Sequence, residues 1–201
     1  MDSKPFGLTY EEHIINYWKF ILPIPTNQNP AEDPTGEQCT KGQNVSNSSI
    51  FYLHGNSGGQ TEKTCRIPAG LGLFIPIIQA EDSTGETPGA TIDELIKNVK
   101  RDQDRVSALD LTINEKEFKY EDLKNFRVPT KDFNVIFPEN NIFSANPGPA
   151  TAVTDGYQVI TTPLTPGNYT IHFKGATQCL GTEDPTCVNF ASDNIYHLIV
   201  S

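Results

Sequence analysis

Three histidines, His54, His172 and His197, lie in or beside segments that read as strands, and His13 lies in a segment that reads as helix. Imidazole is a common ligand for transition metals. If the strands carrying His172 and His197 are neighbours, both rings can share a face. A carboxylate such as Glu81 or Asp155 would then complete a two-histidine, one-carboxylate set for a transition-metal ion. The spacing lends little support, since neither H-x-H nor H-x-x-x-H occurs and strand histidines commonly just pack. A second chemistry comes from oxygen-rich turns: Glu32-Asp33-Pro34-Thr35, Glu81-Asp82-Ser83-Thr84 and Glu183-Asp184-Pro185-Thr186 share one pattern. Such loops suit calcium, which takes six to eight oxygen ligands, although none has the EF-hand spacing and ordinary turn chemistry explains them equally well. No G-x-S-x-G elbow supplies a nucleophile. GNSGGQTEK lacks the G-K-[ST] ending of a phosphate loop.

The balance of charge narrows the partners. Fifteen Lys and Arg against twenty-five Asp and Glu leave a net charge of −10, and the cations are dispersed, which disfavours nucleic acid as a ligand. No stretch approaches the ~20 apolar residues of a membrane span. The opening MDSKPFGLTYEEH also lacks the basic start, apolar run and cleavage site of an export signal. The expectation is therefore that Met1 opens a mature form whose signal has been removed, because other features point outside the cell.

Those features are the cysteines and the sequons. Cys39, Cys65, Cys179 and Cys187 allow three pairings, which sequence alone does not resolve. Order along the chain favours Cys39–Cys65, across a hairpin, and Cys179–Cys187, around the turn-rich CLGTEDPTC. A four-thiolate zinc site would need ligand pairs two to four residues apart, and neither spacing fits. Asn44, Asn47 and Asn168 each begin an N-x-S/T sequon and are candidate glycosylation sites on a secreted, extracellular glycoprotein.

The elements that must position these groups are legible from periodicity. Residues 9–22 read as an amphipathic helix: Thr9 and Glu12 make a capping box, Tyr10, Ile14, Tyr17, Trp18 and Ile21 form one stripe, and Pro23 ends it. Trp18 reads as a core anchor. Strand-like runs follow at Ser49–His54, Thr61–Ile67 and Leu71–Ile78. In the last, LGLFIPII is apolar throughout and so reads as buried on both faces, while Pro76 implies a bulge or an edge. A polar loop at 80–90 leads to a surface helix over 91–108, again with a capping box, at Thr91 and Glu94. Leu109–Asn114 and Lys116–Phe118 read as a hairpin, and Phe133–Phe137 as a strand. The loop 138–150 is expected to tuck Ile142 and Phe143 inward. Gly156–Thr162, Gly167–Gly175 and Asn194–Val200 read as strands, with Ile171 and Phe173 opposed in face to His172 and Lys174. Strand count and turn spacing give a mainly β chain: one domain over 1–201, an antiparallel, jelly-roll-like β-sandwich with the two helices packed outside.

Three stretches carry a family resemblance: GLTYEEHIINYWKF, CRIPAGLGLFIPII and DGYQVITTPLTPGNYTIHFKG. Together they resemble uncharacterised exported proteins of archaea and bacteria, over roughly residues 6 to 200. The resemblance implies a mature exported domain with a Cys39–Cys65 disulfide, and makes Cys179–Cys187 a local addition. His13 stands where that family's opening tends to have tryptophan. No catalytic residue is carried across, because none is established there. The expected function is a disulfide-stabilised binding or structural module of the cell surface, its ligand a glycan, a metal ion or a protein. The alternative is a metal-dependent enzyme using His172 and His197.

Overall fold

The computed structural model describes residues 3–43, 48–179 and 187–201. Its elements are α1 (Tyr10–Ile21), β1 (Ile50–Tyr52), β2 (Gly59–Ile67), β3 (Gly72–Ser83), α2 (Ile92–Asp104), β4 (Val106–Ile113), β5 (Lys116–Phe118), α3 (Tyr120–Leu123), β6 (Phe133–Phe137), β7 (Gly148–Ile160), β8 (Gly167–Thr177) and β9 (Phe190–Val200). They form two sheets, one in the order β1-β3-β7-β6 and the other β2-β9-β8-β4-β5. Most pairings are antiparallel. The exceptions are β1 with β3 and β2 with β9, which run parallel at one edge of each sheet. The sandwich reading holds, with those parallel edges as a feature that alternation could not foretell.

The core follows from strand alternation. Leu73, Ile75 and Ile77 on β3 face Ile171, Phe173, Tyr196 and Leu198 of the second sheet, all but fully buried. Gly175 on β8 allows the close approach: a Cβ there would lie 2.4 Å from Ile78 Cβ. The opposite face of the first sheet packs Phe74, Phe133 and Val135 against Tyr17, Trp18 and Ile21 of α1. The α1 capping box is formed as expected, Thr9 Oγ1 accepting the Glu12 N–H at 3.2 Å and Glu12 accepting the Thr9 N–H at 2.8 Å. The α2 box forms likewise at Thr91 and Glu94. Leu95 and Val99 of α2 cover Val153 and Ala80.

Several boundaries move. The helix expected over 91–108 ends at Asp104, and Val106–Ala108 begin β4, where Val106 and Leu109 join the main core. β3 runs on through Ser83, into the stretch read as a polar loop, because β7 starts at Gly148 and pairs with it as far as Ser83↔Ala152. Of the pair expected to tuck inward, Ile142 is half-buried but Phe143 is exposed. Pro76 satisfies its expectation doubly: the β3–β7 register shifts between Pro76 and Ile78, and among the described residues β3 has no strand partner on its other side beyond Phe74.

Both disulfides inferred from chain order are present. Cys39 and Cys65 have a Cα separation of 6.2 Å and Cys179 and Cys187 one of 5.9 Å, leaving no free thiol. Asn168 is exposed on β8; Asn44 and Asn47 lie outside the described residues. Among the described residues, no helix is long and apolar enough to cross a membrane.

Candidate functional site

The histidines singled out by sequence do lie on neighbouring strands. Thr170 of β8 pairs with His197 of β9, which puts His172 and His197 on one face of the second sheet. Each ring, however, has its own carboxylate: His172 Nε2 lies 2.6 Å from Asp193 Oδ1, and His197 Nε2 lies 2.7 Å from Glu62 Oε1. Glu81 sits on β3 in the other sheet. Asp155 is held by Arg127 through contacts of 2.6 to 3.1 Å. The structure thus does not bring His172, His197 and Glu81 together. Among the described residues no group of three or more His, Cys, Asp or Glu is placed to hold a metal ion.

The oxygen-rich turns also have internal partners. Asp33 accepts N–H bonds from Thr35, Gly36 and Gln38 at 2.7 to 3.0 Å, and these bonds hold its carboxyl below the usual range against the opposing effect of burial. Asp82 accepts from Ser83, Thr87 and Asn98. The turn at 183–186 lies outside the described residues. His54 is fully buried, stacked on Tyr17 with ring centroids 5.8 Å apart, and its ring nitrogens have no hydrogen-bond partner among the described residues. Burial, and then the charge of Lys63, keep it neutral. It packs as an aromatic core residue.

A different site emerges along β3. β1 pairs only with Gly72–Phe74, after which the chain turns away: Asn56 reaches the second sheet, donating to Thr61 Oγ1 at 3.2 Å and Asp193 O at 3.3 Å. The space this opens beside Pro76–Glu81 is a cavity of about 600 Å3. Tyr17, Trp18 and Ile21 of α1 form one wall. Thr177, Phe190 and Ser192 at the ends of β8 and β9 form the other, Gly55, Asn56 and Ser57 border it where the chain leaves β1, and Arg101, Gln103 and Arg105 complete the lining. Apolar and aromatic walls with a few polar groups are usual for a ligand pocket of this size.

The polar groups here are incompletely matched. Trp18 Nε1, Gln79 Oε1, both Glu81 carboxyl oxygens and Gln103 Oε1 are buried without a conventional hydrogen-bond donor or acceptor among the described residues. Glu81 faces the Glu86 carboxyl, which itself accepts from Ser83 Oγ at 2.8 Å. Burial, and then this facing carboxyl, raise the Glu81 pKa well above the ordinary glutamate value; burial raises that of Glu86 too. Two like charges cannot both be accommodated in such a place, so the pair favours keeping a proton between them. Trp18, read from sequence as a core anchor, is largely buried and also lines this cavity, 6.1 Å from the Phe143 ring.

Sequence reasoning did not find Gln79 and Gln103, and it placed Glu81 with the wrong companions. The one available signal was Pro76, a residue that cannot donate to a ladder, in the middle of an apolar strand.

Fold and site together define a disulfide-stapled β-sandwich with a ligand-sized slot along one strand edge. No family model matches the chain, and no curated protein matches it by sequence. A solved structure, the cysteine protease inhibitor EhICP2 from Entamoeba histolytica, is similar over 76% of this chain and 96% of its own, at 12% identity and a TM-score of 0.24. A likeness at that level carries no functional inference.

Proposed function

We propose that this protein is an exported binding module that takes its ligand in the slot between α1, β3 and the ends of β8 and β9. The observation that carries the reading is the coincidence of a cavity of about 600 Å3 with acceptors on Gln79 and Gln103 and a donor on Trp18 that are buried and unmatched among the described residues, beside a Glu81 carboxyl that faces the like-charged Glu86. A buried polar group without a partner costs roughly 1–3 kcal/mol, and a ligand that supplies partners recovers that stability. Export is supported by the two disulfides, which persist in oxidising compartments, and by the resemblance of the chain's motifs to exported proteins.

Trp18 is the sole tryptophan, so its emission reports on the slot directly. A screen of amino acids, short peptides and small saccharides should find compounds that shift Trp18 emission and raise the melting temperature with concentration. Compounds that bind and stabilise while leaving Trp18 unchanged would overturn the reading.

A further inference from the structure

We infer that the open edge of β3 takes an extended peptide segment as an added strand. This rests on the slot being the ligand site and assigns its ligand class. The argument is one of backbone accounting. Buried or half-buried backbone groups in a sheet are normally paired, and in an antiparallel ladder the N–H and C=O of successive residues point alternately to one neighbour and the other. Gly156 and Thr154 lie opposite Gln79 and Glu81 in the β3–β7 register. The carbonyls of Gly156 and Thr154 accept from Val128 and Thr130 at 2.9 Å, on the side away from β3. Gln79 and Glu81 are therefore the residues that turn their N–H and C=O away from β7, toward the slot. Thr84 confirms the phase, because its N–H reaches Thr151 O at 2.9 Å on the β7 side. β1 covers none of this edge, since its pairing ends at Tyr52↔Phe74.

The slot thus presents N–H and C=O groups at the two-residue repeat of a β-strand, which an extended peptide matches along its length. A saccharide or small amine would meet the side-chain acceptors but has no counterpart to that repeat. Side chains of an added strand would alternate between the α1 wall, at Trp18, and the opposite wall, at Phe190. On the α1 side, the oxygens of Gln79 and Glu81 favour a residue that donates hydrogen bonds, with lysine or arginine best because either also compensates the single negative charge that the proton-sharing Glu81–Glu86 pair retains.

The test leaves the protein unaltered. A positional library of N-acetylated, C-amidated heptapeptides is titrated against 15N-labelled protein. The expected result is a set of binders, enriched in Lys or Arg at one position, that shift the Gln79 and Glu81 amides and the Trp18 indole. N-methylation of the peptide amides that face β3 should weaken binding about tenfold or more, while methylation of the alternate amides should have little effect. Binding indifferent to N-methylation would overturn strand addition. Saccharides or free amino acids that shift the Trp18 indole where no heptapeptide does would overturn the peptide assignment and leave the slot as the ligand site. If no probe shifts Trp18, the slot itself fails. Concentration-dependent self-association with the same amide shifts would give the edge to a second copy, and would also overturn the inference.

Discussion

Lys63 lies on β2 with its side chain directed into the sandwich and is 1% exposed. Its Nζ donates to Pro30 O at 2.9 Å and sits 5.7 Å from the Tyr196 ring centroid. Burial lowers its pKa from 10.5 to about 8, although the charges of Asp33 and Glu32 partly oppose this. The folded state thus holds the Lys63 proton less tightly than the unfolded chain. At 1.36 kcal/mol per pH unit, the gap amounts to about 3 kcal/mol of stability withheld below pH 8 and regained between pH 8 and 10.5, where only the unfolded chain remains protonated. Lys63→Met removes the ammonium with little change in volume, and forfeits the bond to Pro30, about 1 kcal/mol. The net expectation is a gain of about 1–2 kcal/mol at pH 7 that shrinks and reverses toward pH 10.5. Urea unfolding of both proteins with disulfides intact, followed by circular dichroism at pH 7 and pH 10, measures the difference directly, and other titrating groups cancel. A variant less stable than the parent by 2 kcal/mol or more at both pH values would refute the reasoning. It would show that the contacts to Pro30 and the acidic turn outweigh the cost of burying the charge.

Glu81→Gln should stabilise the protein at neutral pH. The Glu81 pKa is raised on folding, so its contribution is present below the ordinary glutamate value and lost as pH rises through the raised one; a parent whose thermal stability tracks that of the variant from pH 4 to 9 would contradict this. Replacing Cys39 and Cys65 by alanine opens a span with a sequence separation of 26, against 8 for Cys179 and Cys187. Chain entropy gives losses of about 3.5 and about 2.6 kcal/mol respectively, and an inverted order in denaturant midpoints would count against it. Gly156→Ala places a Cβ 2.7 Å from Gln79 Cα and from Ile78 O, and should cost about 1–3 kcal/mol in chemical unfolding.

How far the sequence revealed the molecule can be followed residue by residue. The capping pairs Thr9–Glu12 and Thr91–Glu94 are local chemistry, so both helix starts were legible. The end of α2 was not, because Val106 continues the apolar pattern and only its pairing with Thr177 on β8 makes it a strand. The long reach of β3 and β7 depends on each other in the same way. Lys63 is in phase with Cys65 and Ile67 and is buried with them, so strand alternation decides its place against the preference of its charge for water. The site was least legible. Gln79, Glu81 and Gln103 are ordinary polar residues until β1 leaves β3 beyond Phe74, an event set by where Asn56 bonds across the molecule. His172 and His197 share a face as expected, but Asp193 and Glu62, one on a neighbouring position of β9 and one on β2, hold them apart in function.

The central claim is that ligands bind along β3, beside Trp18. It is tested most directly by amide and indole NMR shifts, mapped as amino acids, peptides and saccharides are added to the intact protein. The expected result is that whatever binds moves the Trp18 indole together with the amides of Gln79, Glu81 and Gln103. Binding that moves residues around His172, His197 and Glu62 on the outer face of the second sheet, and leaves Trp18 where it was, would contradict it.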